Sequence, residues 1–153
     1  MKYNDSLIAQ KYIYIKKTPK DNIYFQLIDL MFDLSDSFIL VERPEMDTSE
    51  NFTRIMSELS GYLIKMQNQT SFAQTSIMNS FAKVYYFKIC EETKAILLKY
   101  SNSLYDWVQP NLPENICFSS NGRYLLTSKT QEQNCTLFIY YPSLHEKIKK
   151  LDI

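Results

Sequence analysis

The chain has 153 residues, 45% of them apolar and 22% charged, with a net charge of zero. That length is enough for one buried core in a single domain, 1–153, and the balance is that of a globular chain, not a disordered one. A net charge of zero excludes the general electrostatic attraction on which direct nucleic-acid binding relies. No apolar run approaches the roughly 18 residues needed to span a bilayer, so no membrane partner is expected. The opening "MKYNDSLIAQKYIYIKK" has no apolar signal core, so a cytoplasmic location is expected.

In chain order, Leu7, Ile8, Lys11, Tyr12 and Ile15 recur at helical spacing, with Asn4 or Asp5 as cap and Pro19 beyond. A helix is expected over residues 5–17. A second is expected from Asp21 to Asp33, where Ile23, Leu27, Leu30, Met31 and Leu34 make one apolar stripe. Asp29, Asp33 and Asp36 crowd its far end, opposing the helix macrodipole by roughly a few tenths of a kcal/mol unless another group offsets them. "SFILVER", Ser37 to Arg43, is β-branched and aromatic and is closed by Pro44, which makes it a strand. In "MDTSENFTRIMSELSGYLIKM", Asp47 and Glu50 have capping-box spacing, and Phe52, Ile55, Met56, Leu59 and Leu63 follow at helical period. A third helix is expected there.

Residues 67–80 are polar with no firm period, a loop or the first arm of a hairpin turning near Asn79. "FAKVYYFKI", Phe81 to Ile89, alternates like a central strand, and helical spacing returns through Thr93, Ile96, Leu97 and Tyr100 to end near Ser101. After the loop "VQPNLPEN" come three short extended pieces, "ICFSS", "RYLLTSKT" and "NCTLFIYY". Asn121-Gly122 joins the first two, because both residues tolerate the positive φ of a type I′ turn. Pro142 ends the third, and residues 143–153 read as a short basic helix or a frayed tail. The expected fold is α+β, a mainly antiparallel sheet of about four to six strands with helices packed on one face.

Few parts for chemistry are present. Two glycines, Gly61 and Gly122, exclude a glycine-rich phosphate cradle. The single histidine, His145, is too little for a zinc site, and Cys90, Cys117 and Cys135 lack the close spacing of a metal knuckle. No metal and no cofactor is expected, and Cys117, alternating with Ile116 and Phe118, reads as an inert buried thiol. Charge is distributed unevenly. Residues 1–20 hold five lysines against Asp5, whereas residues 28–60 hold eight acids against Arg43 and Arg54. An acidic surface from Asp29 through Asp33, Asp36, Glu42, Glu45 and Asp47 to Glu50 would meet a protein partner with a basic surface. Trp107, the one tryptophan, is either an anchor for that partner or a plug between helix and sheet.

The block "LYDWVQPNLPENICFSSNGRYLLTSKTQEQ" resembles a group of small proteins from low-GC Gram-positive bacteria and their phages, often labelled stage III sporulation protein AH. Trp107, Pro110, Leu112, Pro113, Glu114, Cys117 and Phe118 carry the resemblance, together with "YNDSLIAQKYIYIK" and "FDLSDSFILVERPEM". Where the group tends to have His-Glu, this chain has Gln131-Glu132. The sporulation label implies a membrane protein, which the absence of an apolar span does not match. Small acidic-faced proteins of such bacteria are often immunity proteins or phage antagonists of a host defence, and by that analogy a non-enzymatic, inhibitor-type protein-binding module is expected here. The alternatives are a metal-assisted hydrolase or nuclease built on Asp33, Asp36, Glu42 and Glu45, and an oligomerising structural or regulatory subunit.

Overall fold

The segment Ser37–Glu42 (β2) buries both of its faces, Phe38 and Leu40 on one and Ile39 and Val41 on the other. A strand apolar on both sides belongs inside a sheet with both faces covered. The computed structural model, which describes residues 11–72, 75–76, 81–151 and 153, places it there. β2 is flanked by β6 (Ala82–Lys88) and β7 (Glu114–Ser120). Beyond β7 come β8 (Arg123–Lys129), β9 (Asn134–Ile139) and β1 (Lys11–Tyr14); beyond β6 comes β3 (Leu63–Gln69). The fold is α+β, with a seven-stranded sheet in which every neighbouring pair is antiparallel. The strand count exceeds the expected range because β1 and β3 come from segments expected to be helical.

Four helices pack on one face: α1 (Asn22–Leu34), α2 (Glu50–Leu59), α3 (Glu91–Tyr100) and α4 (Pro142–Lys149). Leu27, Ile28 and Met31 of α1, Ile55 and Leu59 of α2, Leu97 of α3, and Leu144 and Ile148 of α4 close over Phe38, Phe87, Phe118 and Leu126. Each fully buried aliphatic or aromatic side chain contributes about 1.5–3 kcal/mol. On the opposite face a smaller cluster joins Ile39, Val41, Val84 and Cys117 to Phe72, which a two-stranded ribbon, β4 (Ser71–Phe72) and β5 (Thr75–Ser76), lays across it.

Three expectations are corrected. Residues 11–14 form a strand, not the end of a helix, with Tyr12 set edge-to-face on Phe138 at 5.3 Å. "KYIYI" satisfies both the helical and the alternating period, and its β-branched and aromatic residues favour the strand. Residues 5–10 of that expected helix lie outside the described residues. α2 begins at Glu50, capped by Ser49, whose Oγ accepts the Phe52 N–H at 3.2 Å, so the Asp47–Glu50 capping box does not form. The helix stops at Leu59, where Ser60–Tyr62 tighten into a 3₁₀ turn and Leu63 enters β3. The turn expected near Asn79 lies outside the described residues.

The strongest local signal is the hairpin. Asn121 and Gly122 have φ of 52° and 74°, and the β7–β8 register closes at Ser120 opposite Arg123. Among the described residues, no helix is long and apolar enough to cross a membrane.

Candidate functional site

Following the acids along β2 divides them. Asp29, Asp33 and Asp36 lie at the end of α1 and the entry to β2, whereas Glu42, Glu45, Asp47 and Glu50 lie at and beyond its exit. Six strand residues at 3.2–3.4 Å each put about 20 Å between Asp36 and Glu42. The single acidic surface expected from Asp29 to Glu50 is therefore two groups. For the same reason Asp33 and Asp36 do not converge with Glu42 and Glu45, and among the described residues no three His, Cys, Asp or Glu side chains are grouped to hold a metal ion.

The first group is largely used within the fold. Lys94 of α3 sets its Nζ 2.5 Å from Asp29 Oδ1, and this contact is the main reason the Lys94 ammonium titrates above its ordinary range. Asp33 acts on the same lysine more weakly. Lys94 is thus the group that offsets the acids at the α1 C-terminus. Asp36 Oδ2 accepts the Asn121 N–H at 2.9 Å, tying the hairpin turn to β2.

The second group is presented outward. Glu45, Asp47 and Glu50 are exposed, and the loop carrying them is held from beneath. The Arg43 N–H donates to Gln109 Oε1 at 2.7 Å, Gln109 Nε2 donates to the Arg43 carbonyl at 3.2 Å, and the Ser49 N–H donates to the Pro110 carbonyl at 2.9 Å. The proline-rich loop therefore positions the acidic loop through the Gln109 side chain and the Pro110 carbonyl.

Beside these acids lies an apolar groove of about 330 Å³ between α2 and the sheet. Phe52 and Met56 of α2 form one wall, and Leu63, Tyr85 and Phe87 the other. At its polar end the Tyr85 hydroxyl donates to Glu42 Oε1 at 2.9 Å; burial, and then the carboxylate, push that hydroxyl well above its usual range. The groove runs onto β3, where Leu63 is 42%, Ile64 56% and Met66 43% exposed. Among the described residues no strand pairs with the outer edge of β3. Its one charged residue, Lys65, lies over the Tyr86 ring at 4.5 Å, and Gln69 Nε2 donates to the Tyr86 hydroxyl at 2.8 Å. The strand is held in place while its apolar side chains stay in solvent. Sequence reading missed these residues because "YLIKM" extends the apolar stripe of α2. The Ser60-Gly61 pair, both weak helix formers, was the available signal.

Of the two roles expected for Trp107, partner anchor or plug between helix and sheet, its burial leaves the plug. It is fully buried, and its Nε1 donates to the Tyr24 hydroxyl at 3.1 Å, itself buried and pushed up to about 12 chiefly by desolvation. Cys117 is also buried, with its thiol pushed up to about 12 by burial, and its Sγ donates to the Asn115 carbonyl. It belongs to the cluster on the sheet face away from α4, the helix that carries His145, so the two do not form a nucleophile–base pair. The two polar ends of the "LPEN…QE" block do meet, Gln131 Nε2 donating to Glu114 Oε1 at 3.2 Å. Comparison with known protein families, with curated proteins and with solved structures yields no match, so the functional reading rests on geometry.

Proposed function

We propose that the protein is a non-enzymatic protein-binding module of the inhibitor or immunity type, which captures its partner on the β3 edge and the adjoining groove. The observation that carries this reading is a seven-residue edge strand that exposes Leu63, Ile64 and Met66 beside an apolar groove. Long apolar edges template pairing with another chain, and folded proteins ordinarily guard them with charge, proline or a cover. A partner segment adding as a further strand gains main-chain hydrogen bonds from the edge and seats one apolar side chain in the groove. Glu42, Glu45, Asp47 and Glu50 along the rim favour a basic partner and speed its approach.

The experiment is charge reversal on a partner isolated by affinity capture from the producing cells. Glu45→Lys with Asp47→Lys and Glu50→Lys weakens binding by about tenfold, since rim pairs contribute about 0.2–1 kcal/mol each, and flattens the dependence on salt. Asp29→Lys with Asp33→Lys, on the other acidic group, changes affinity less than about twofold. Equal losses from both sets, measured by titration calorimetry, would count against this placement.

An oligomerising subunit is the second reading. It is favoured by the same edge, because antiparallel pairing of β3 with its own copy is self-complementary about a two-fold axis. Solution mass separates the two: a dimer that Ile64→Lys dissociates assigns the edge to a second copy.

A further inference from the structure

The groove between α2 and the sheet has a polar end whose hydrogens all point away from an occupant. Among the described residues its lining carries one charged side chain, Glu42, which is half-buried. Oε1 of this carboxylate accepts from the Tyr85 hydroxyl, whereas Oε2 has no hydrogen-bond or ion-pair partner among the described residues and is not sealed from solvent. Lys83 stands opposite Glu42 in the β2–β6 register, yet among the described residues it makes no ion pair with it. A carboxylate drawn into apolar surroundings is ordinarily matched by a cation, and this one is not.

The other polar side chains of the lining are committed in the same sense. Tyr85 spends its hydrogen on Glu42, Thr53 Oγ1 donates to the Ser49 carbonyl at 3.3 Å, and Ser60 Oγ donates to the Ser57 carbonyl at 2.7 Å. These oxygens keep lone pairs and offer no hydrogen; among the lining hydroxyls Thr48 alone is uncommitted. Acceptors and one negative charge call for a group that only donates, and an ammonium has three hydrogens and no lone pair. A guanidinium also only donates, but its advantage lies in pairing with both carboxylate oxygens, and Tyr85 already holds Oε1. Away from Glu42 the lining is apolar, with Phe52 and Met56 facing Leu63 and Phe87, and Phe87 stacked on Tyr85 at 6.2 Å between ring centroids.

We infer that the groove binds a small primary amine with an apolar body, its ammonium on Glu42 Oε2 and its aryl or alkyl portion between Phe52, Met56 and Leu63. This site uses the same groove as the capture of a strand but does not depend on that reading. An anion of the same shape would meet Glu42 without a countercharge. A neutral alcohol brings one hydrogen to Oε2 and no charge, so it binds more weakly. The exposed Glu45, Asp47 and Glu50 on the adjoining loop add attraction for a cation at longer range. A volume of about 330 Å³ falls at the lower end of the roughly 300–1,000 Å³ of small-molecule pockets, which suits a compact ligand of this kind.

Nuclear magnetic resonance titration of the free, full chain at neutral pH decides this. Phenethylamine is the probe, with phenylethanol and phenylpropionate as its uncharged and anionic counterparts. The amine is expected to give saturable shifts at the Met56 and Leu63 methyl groups, the alcohol to bind about tenfold more weakly, and the acid to show no saturation. Glu42→Gln weakens the amine by about tenfold and brings it level with the alcohol. Equal affinity of the native chain for all three probes, or an unchanged amine affinity in Glu42→Gln, would overturn the inference. So would tighter binding of acetyl-lysine amide than of phenethylamine, because the ammonium would then belong to a lysine of a polypeptide. Should Glu42→Gln fail to fold, the selectivity of the native chain among the three probes carries the test alone. No partner is present in the titration, so a negative result leaves capture at the β3 edge standing, and loss of that reading leaves a positive result intact.

Discussion

Replacing Trp107 by alanine lowers the stability of the protein by about 3–5 kcal/mol and its melting temperature by roughly 6–20 °C. The side chain is fully buried among Tyr24, Leu104 and the rest of the main core, so its loss leaves a cavity that surrounding helices can close only in part. It also removes the Nε1 donor from the Tyr24 hydroxyl, which is itself buried. Trp107→Phe keeps most of the volume and loses chiefly that hydrogen bond, so its cost falls to about 1–2 kcal/mol. Urea denaturation of both variants checks the order. A surface anchor would behave differently, with both substitutions within about 0.5 kcal/mol of the native chain.

The second large effect is expected on binding and not on folding. Ile64→Lys combined with Met66→Lys places two charges on the β3 edge, the device by which edges are ordinarily protected from pairing. Partner affinity falls by about a hundredfold, equivalent to about 2.8 kcal/mol, which is the scale of one buried interface anchor. Stability changes by no more than about 0.5 kcal/mol, because both side chains stand about half in solvent in the free protein. Tyr14→Lys, on the opposite edge strand β1, leaves affinity within about twofold. Calorimetric titration together with a thermal melt of each variant separates a lost contact from a lost fold.

The two substitutions also mark what could be read from the residues and what could not. Elements with strictly local signals are visible in the sequence: the β-branched run of β2 closed by Pro44, the stripe of α1, and the Asn121-Gly122 turn with its positive φ values. Where two periods fit the same letters, as in "KYIYI" and "YLIKM", pairing partners far along the chain decided the outcome. β1 is settled by β9 and β3 by β6, more than 120 and about 20 residues away respectively. The block from Trp107 to Glu132 looks chemically rich in sequence. In space most of it is scaffold: Trp107 plugs the core and Gln109 grips Arg43.

Site geometry was the least legible part. Charge counting located the acids but could not show that β2 would separate them into two groups, or that Lys94 and Asn121 would engage Asp29 and Asp36. Glu114 reads as one more loop acid, and only the packed structure shows it buried beside Arg43. Burial and opposition across a sheet are tertiary facts, and no local pattern of residue types encodes them.

The most direct test of β3 as the capture edge is amide hydrogen exchange of residues 63–69 in the free protein and in the complex. In the free chain the outward amides of an edge strand exchange readily, whereas those bonded to β6 are held by the sheet. Addition of a partner strand is expected to protect the outward amides of β3 and leave Lys11–Tyr14 of β1 unchanged. Protection confined to the Asp29–Asp36 end of the molecule, with β3 exchanging as before, would contradict the account.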